Sequence, residues 1–515
     1  MPIAASSSEL LQGIRGTRRA VVDVGHLLRF RSARVRRRRV LVALALVFIG
    51  LTSAAAVLPA LLPGAGSGRH AQDALVLLPS GFAGFIALAV VAGVASGGGR
   101  ELLAREHAVI HPVSPTTDHL GALLMAPLNI SWLIQAWVLL GGAAYGVGPD
   151  PERLAAIQIG VVAWLLAATA LGQVAAWALE AMRREPHGVG AVRSLAVVGV
   201  VAVVGLQLSG TLTGALDQVP TLTLVVGLLG GFSGQWVQSI AVELALLVAS
   251  VVVGAVPAHL AARRTPHDEQ RLETDAHEAR PMPRTPLAGL VRTDRASVWR
   301  AVPMRRGLTV LALGPGVIAL AGDVPWDIMT ILPGLVASGG SLLFGVNAWC
   351  LDGRGGLWRE SMPVSPATVF DARVVVLAEF LALASAVTLV VSSLRAGQPT
   401  ASEVVAVLAT WVVVLVQVVA AAMRWSQLRP FAVDLRSARA TPAPPLIMVG
   451  YSVRLAVSTT VTGLVFTALS HAPDPRLPLL SAVPFLCWSL ARLTRTRRRW
   501  LDPVDRARVV TAVAA

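Results

Sequence analysis

Residues 108–124 read AVIHPVSPTTDHLGALL, and residues 359–375 read RESMPVSPATVFDARVV. The same Pro-Val-Ser-Pro stands at 112–115 and at 363–366, and a long apolar run follows each copy. Backbone chemistry makes each copy a corner. Pro112 and Pro363 disfavour helix in the residue before them. Ser114 and Ser365 are good N-caps, and Pro115 and Pro366 suit the first helical position. The chain stops, turns over two residues and starts a new helix.

Composition says where that helix goes. Of 515 residues, 55% are hydrophobic and only 14% are charged, with mean hydropathy +0.67. A soluble chain carries roughly 25% charged residues. Several runs long enough to cross a bilayer are nearly free of charge. The first 39 residues hold ten Arg, and the apolar run after them is too long for a signal-peptide core. The sequence therefore predicts an all-α polytopic membrane protein with an uncleaved N-terminus.

Twelve spans are expected. Six fall near 40–62, 74–96, 119–145, 154–180, 194–216 and 239–260. Six more fall near 307–321, 328–350, 373–394, 403–423, 446–469 and 477–491. The seventh carries a Gly-Pro-Gly interruption. Residues 263–286, polar and Pro-containing, read as a solvated linker between a first half at 1–262 and a second half at 287–515. With the N-terminus inside, Arg69, Arg153, Arg395 and Arg476 fall in outer loops and Arg454 within a span. Every other Arg is expected on the cytoplasmic side or at its edge, so both termini are expected there, at the plasma (inner) membrane. RVRRRR (34–39) and RLTRTRRR (492–499) abut spans and lack interleaved aromatics, which favours anionic lipid headgroups over nucleic acid.

The two halves repeat. LLRFRSARVRR (27–37) aligns without gaps to LVRTDRASVWR (290–300), and each suits an amphipathic helix lying in the membrane interface ahead of a span. GRELLARE (99–106) matches GRGGLWRE (353–360), and AMRREP (181–186) matches AMRWSQLRP (422–430). With the corners, four anchors recur in one order, as in a duplicated six-span unit.

All 44 cationic side chains are Arg and none is Lys, which excludes a Walker A loop or a kinase-type ATP clamp. The ten His form no HExxH pattern, and no Asp pair has a useful catalytic spacing. Cys350 and Cys487 match no metal-ligand spacing and read as reduced core residues. No catalytic residue, metal site or cofactor is expected in this chain.

An interfacial helix, two spans, a cytoplasmic "RE…PVSP" segment and four more spans resemble the type 2 ABC exporter permeases, here two units fused. The resemblance implies that a separate ABC ATPase, in two copies, docks on the corners and carries ATP and Mg. It implies coupling roles for Arg105, Glu106, Pro112, Ser114 and Pro115 in one corner. Arg359, Glu360, Pro363, Ser365 and Pro366 would form the other. The second corner departs by lying three residues closer to its Arg-Glu pair. VPTLTLVVGLLGGFSG (219–234) is a candidate for the family's re-entrant outer segment, and the second half has only HAPDPR (471–476) there. The outer loops are short, which favours export.

A twelve-span secondary transporter is the alternative, and a polytopic enzyme or scaffold a further one. A transporter's mark is ionisable groups deep in the bundle. The candidate intramembrane polar residues are Asn129, Glu243, Glu379 and Arg454. Glu379 and Arg454 sit roughly 9–12 Å deep by helical rise. They are expected to pair or face a pathway, unless each snorkels separately to the headgroups.

Overall fold

A computed structural model describes residues 19–29, 38–95, 113–128, 130–211, 214, 218–264, 281, 283–344, 347–432 and 445–514. Among them there are helices and turns and no strand. Ten helices are long and apolar enough to cross a membrane, and shorter apolar helices lie at Ala45–Leu61 and Trp132–Val147. Their outward faces are hydrophobic, as at Val197, Val198 and Val201. Water would oppose such a surface, and lipid accepts it because a helix bonds most of its backbone polar groups within itself. The chain is an all-α, multi-pass membrane protein. It divides into two compact units, 1–267 and 268–515.

In the first unit the apolar helices are α1 (Arg38–Val57), α2 (Arg69–Ala95), α3 (Pro115–Met125), α4 (Ile130–Val147), α5 (Pro151–Arg183), α6 (Gly188–Leu208), α7 (Thr221–Leu229) and α8 (Gly234–Arg263). The long helix α5 is the organiser, packing on both α2 and α8. Its core face inserts Ile157, Val161, Trp164 and Ala168 between them. The single span expected at 119–145 is instead two pieces, α3 and α4, joined by a 3-10 turn at Ala126–Leu128. Pro127 is the cause, since it lacks an N–H and clashes with the preceding turn.

In the second unit the helices are α9 (Pro286–Arg300), α10 (Val302–Ala321), α11 (Trp326–Met329), α12 (Leu332–Phe344), α13 (Gly355–Ser361), α14 (Pro366–Ser393), α15 (Ala401–Leu428), α16 (Pro445–Ser470), α17 (Arg476–Leu501) and α18 (Pro503–Ala514). Here α14 and α15 lie at the centre, with α10 and α12 on α14 and with α16 and α17 on α15. The Gly-Pro-Gly of α10 does not break it. Pro315 removes the donor for the Leu311 carbonyl, and Thr388 of α14 supplies a hydroxyl, 2.7 Å from the Ala312 oxygen and 3.4 Å from that of Leu311. Gly316 permits the approach, because a Cβ there would lie 3.0 Å from the Thr388 carbonyl oxygen. The span expected at 328–350 ends earlier, at Phe344, and residues 347–354 form turns. The interfacial helix expected at 290–300 is α9, which buries Leu290, Val291, Asp294 and Val298 on one face. Of its counterpart, residues 19–29 are helical and 30–37 lie outside the described residues, as does most of the 263–286 linker.

Candidate functional site

Both corners cap a helix in the same way. Ser114 accepts from the Thr117 N–H at 3.1 Å and Ser365 from the Thr368 N–H at 3.2 Å, with Pro115 and Pro366 as first helical residues. Arg105, Glu106, Pro112 and Asn129 lie outside the described residues.

The second corner is visible in full. Arg359 on α13 bonds the Asp294 carboxylate of α9 and lies 3.4 Å from Asp352, in the turn before α13. Arg373 on α14 donates to Asp352 at 2.6 Å and lies 3.4 Å from Asp294. Two cations and two anions from four segments form one closed ring, and Asp294 within it is 0% exposed. Such a ring offsets its desolvation only while complete, because a lone buried charge costs several kcal/mol. Trp349 lies over the Arg373 guanidinium at 5.5 Å and stacks on Trp500 at 4.0 Å. Trp500 in turn donates to the Pro366 carbonyl at 3.0 Å. Burial beside the ring pushes the Cys350 thiol up to about 12, so it stays protonated at neutral pH.

Arg359 therefore faces inward. Glu360 is half-exposed and accepts from Arg506 of α18 at 2.9 Å. The outer face of α13 and its corner carries Leu357, Trp358, Ser361, Met362 and Pro363, all exposed, with Trp358 at 78%. A narrow cleft of about 20 Å³ between Trp349, Glu360, Trp500 and Val510 lies beside it. Trp358 stood in the sequence next to the Arg-Glu pair. Its exposure was hidden, because an apolar Trp in a membrane protein reads first as core.

Glu379 pairs with Arg295 of α9, through contacts of 2.7 and 2.5 Å, and not with Arg454. That fork-on-carboxylate bond raises the Arg295 pKa above its ordinary value. Arg295 wins because α9 packs on α14, whereas Arg454 lies exposed on α16. Glu243 on α8 is 0% exposed, and neither carboxylate oxygen has a hydrogen-bond partner among the described residues.

No protein-family model, curated protein or solved structure matches the chain.

Proposed function

We propose that the chain is the membrane-spanning permease of an ATP-driven exporter of the type 2 ABC class, worked by a separate ATPase subunit. The observation that carries this reading is the bracing of α13. Arg359 ties this short helix to the interfacial helix α9, and through the shared aspartates to the span α14. A push on α13 is thereby handed to both elements at once, which is what a coupling helix requires. The proline-fixed corner adds stiffness where α13 meets the span. The exposed Trp358, Leu357 and Met362 supply an apolar anchor, and Glu360 a charge that sets orientation more than affinity. In this reading both termini are cytoplasmic, and each of two ATPase copies grips one corner.

The test is the pair Glu106→Arg and Glu360→Arg, with Trp358→Ala made separately and Glu360→Gln as the control for the lost Arg506 contact. The expected result is an inserted, folded protein that no longer co-purifies with its ATPase and does not export. Normal binding and export by the charge-reversed protein would reduce the corners to helix caps.

Glu243 favours a second reading, a secondary transporter, since a buried carboxylate without hydrogen-bond partners among the described residues suits ion coupling. Transport that follows an imposed proton gradient without the ATPase, and that Glu243→Gln abolishes, would select it.

A further inference from the structure

Where α15, α17 and α18 meet, the second unit forms a partly open cleft of about 90 Å³, with Arg499, Asp505 and Arg508 exposed along it. It is lined by Arg424, Gln427, Thr496, Arg499, Asp505 and Arg508, among others. That is several times the roughly 10–15 Å³ that admits one water. Arg508 lies 3.7 Å from Asp505 and donates to the Gln427 carbonyl at 3.0 Å. Among the described residues, Arg424 and Arg499 have no acidic partner. Three guanidinium groups therefore share one carboxylate. Gln427 is 6% exposed, and its Nε2 is buried without a hydrogen-bond partner among the described residues. A buried amide donor left unpaired is costly and asks for an acceptor. Arg424, together with Arg454 of the neighbouring α16, also lies within electrostatic range of Arg492 of α17, whose Nε is buried without a hydrogen-bond partner among the described residues.

Arginines near a helix C-terminus are ordinarily explained by the helix dipole or by snorkelling. Neither explains a cleft that gathers three arginines around one carboxylate and is also lined by a residue, Gln427, whose amide donor is unpaired among the described residues. We propose that this cleft binds a phosphate-bearing anion, held by Arg424, Arg499 and Arg508 with Gln427 Nε2 donating. Guanidinium forks match phosphate oxygens in geometry and charge, and the anion would satisfy both the excess positive charge and the amide. The source is either an anionic lipid headgroup or free phosphate. The inference stands apart from ATPase docking, since none of these residues belongs to the corner.

The experiment uses the full chain in detergent micelles. Native mass spectrometry would follow titration with phosphatidylglycerol, with zwitterionic phosphatidylcholine and with inorganic phosphate. Phosphatidylglycerol retained over phosphatidylcholine assigns the site to a lipid headgroup. Retention of inorganic phosphate assigns it to the free anion, and either supports the proposal. Arg424→Gln should weaken binding about tenfold, as expected for a lost charge-assisted hydrogen bond. Gln427→Leu, which changes no charge, should weaken it several-fold, and it keeps the proposal testable if Arg424→Gln does not fold. Arg495→Gln with Arg498→Gln removes two exposed charges from the same helix outside the cleft and should leave binding within about twofold. Equal losses in the cleft and control variants, or no retention above phosphatidylcholine of either phosphate probe, overturns the proposal in favour of a diffuse basic surface.

Discussion

The helix Pro151–Arg183 runs Glu180-Ala181-Met182-Arg183 at its end, and the helix Ala401–Leu428 carries Ala421-Ala422-Met423-Arg424 near its own. The three matched letters hide a change one position earlier, where an acid in the first unit becomes a methyl in the second. Glu180 is buried and lies 3.4 Å from Arg183 and 3.0 Å from Arg184. Arg184 then bonds the Ala261 carbonyl, and Arg264 bonds Glu185 and the Ala181 carbonyl, both at 2.6 Å. That closes the ends of α5 and α8 with neutralised charge. In the second unit Arg424 has no such acid and turns to a cleft beside two further arginines. There the acids are spent elsewhere, in the ring around Asp294. The same helix end thus serves as a clamp in one unit and lines an open cationic cleft in the other, where an alanine stands in place of the acid.

The largest effect should come from breaking the ring. Asp294→Asn leaves Arg359 and Arg373 with half their counter-charge in a buried place, and a loss of about 3–5 kcal/mol is expected. Thermal unfolding of the purified protein in detergent would read it. A change comparable with that of Glu360→Gln, a part-exposed pair worth about 1 kcal/mol or less, would show that the ring is hydrated and carries little. Next in size is Glu180→Ala, expected to cost roughly 2–3 kcal/mol, because Arg183 and Arg184 keep some access to solvent once their acid is gone. The reciprocal change, Ala421→Glu, should neutralise Arg424 and diminish anion retention. If Glu180→Ala proves silent, the contrast between the two helix ends is one of sequence only.

The broad plan was legible because lipid imposes it: long charge-free runs, polar breaks and capped re-entries can all be read from single stretches. What failed to show were partnerships across the fold. Pro315 looked like an interruption because its remedy, Thr388, stands far along the chain on another helix. Pro127 was read through although it does break its helix, because the apolar run continues on both sides of it. The ring of Asp294, Asp352, Arg359 and Arg373 draws one residue from each of four segments, so no spacing announces it. Arg359 was therefore expected on the surface with Glu360. The Glu379–Arg454 pairing failed for a related reason, since equal depth does not make two helices neighbours.

The two prolines allow a smaller test of the same contrast. Thr388→Val should destabilise by about 1 kcal/mol, the net worth of a hydroxyl bond to a freed carbonyl in a membrane bundle. Pro315→Ala restores the missing N–H, so the double variant should be less affected than the two single changes added together. Strict additivity in a double-mutant cycle would mean that Thr388 and Pro315 are unconnected.

The smallest expected effects are at the caps, and they test whether equal chemistry has equal reach. Ser114→Ala and Ser365→Ala each remove one acceptor, from the Thr117 and Thr368 amides, at about 1 kcal/mol apiece. The helices behind them differ: Pro115–Met125 has 11 residues and Pro366–Ser393 has 28. A short helix recovers little of its nucleation cost from propagation, whereas a long one holds its later turns by packing and by continuous bonding. Hydrogen exchange should therefore show equal loss of protection at Thr117 and Thr368. Beyond the first turn, the loss should spread through 118–125 in the Ser114→Ala protein and stop within one turn in the Ser365→Ala protein. Equal spread in both would mean that the break at Pro127 leaves the helix before it as firmly held as an unbroken span, and the mechanical difference drawn between the two corners would fall with it.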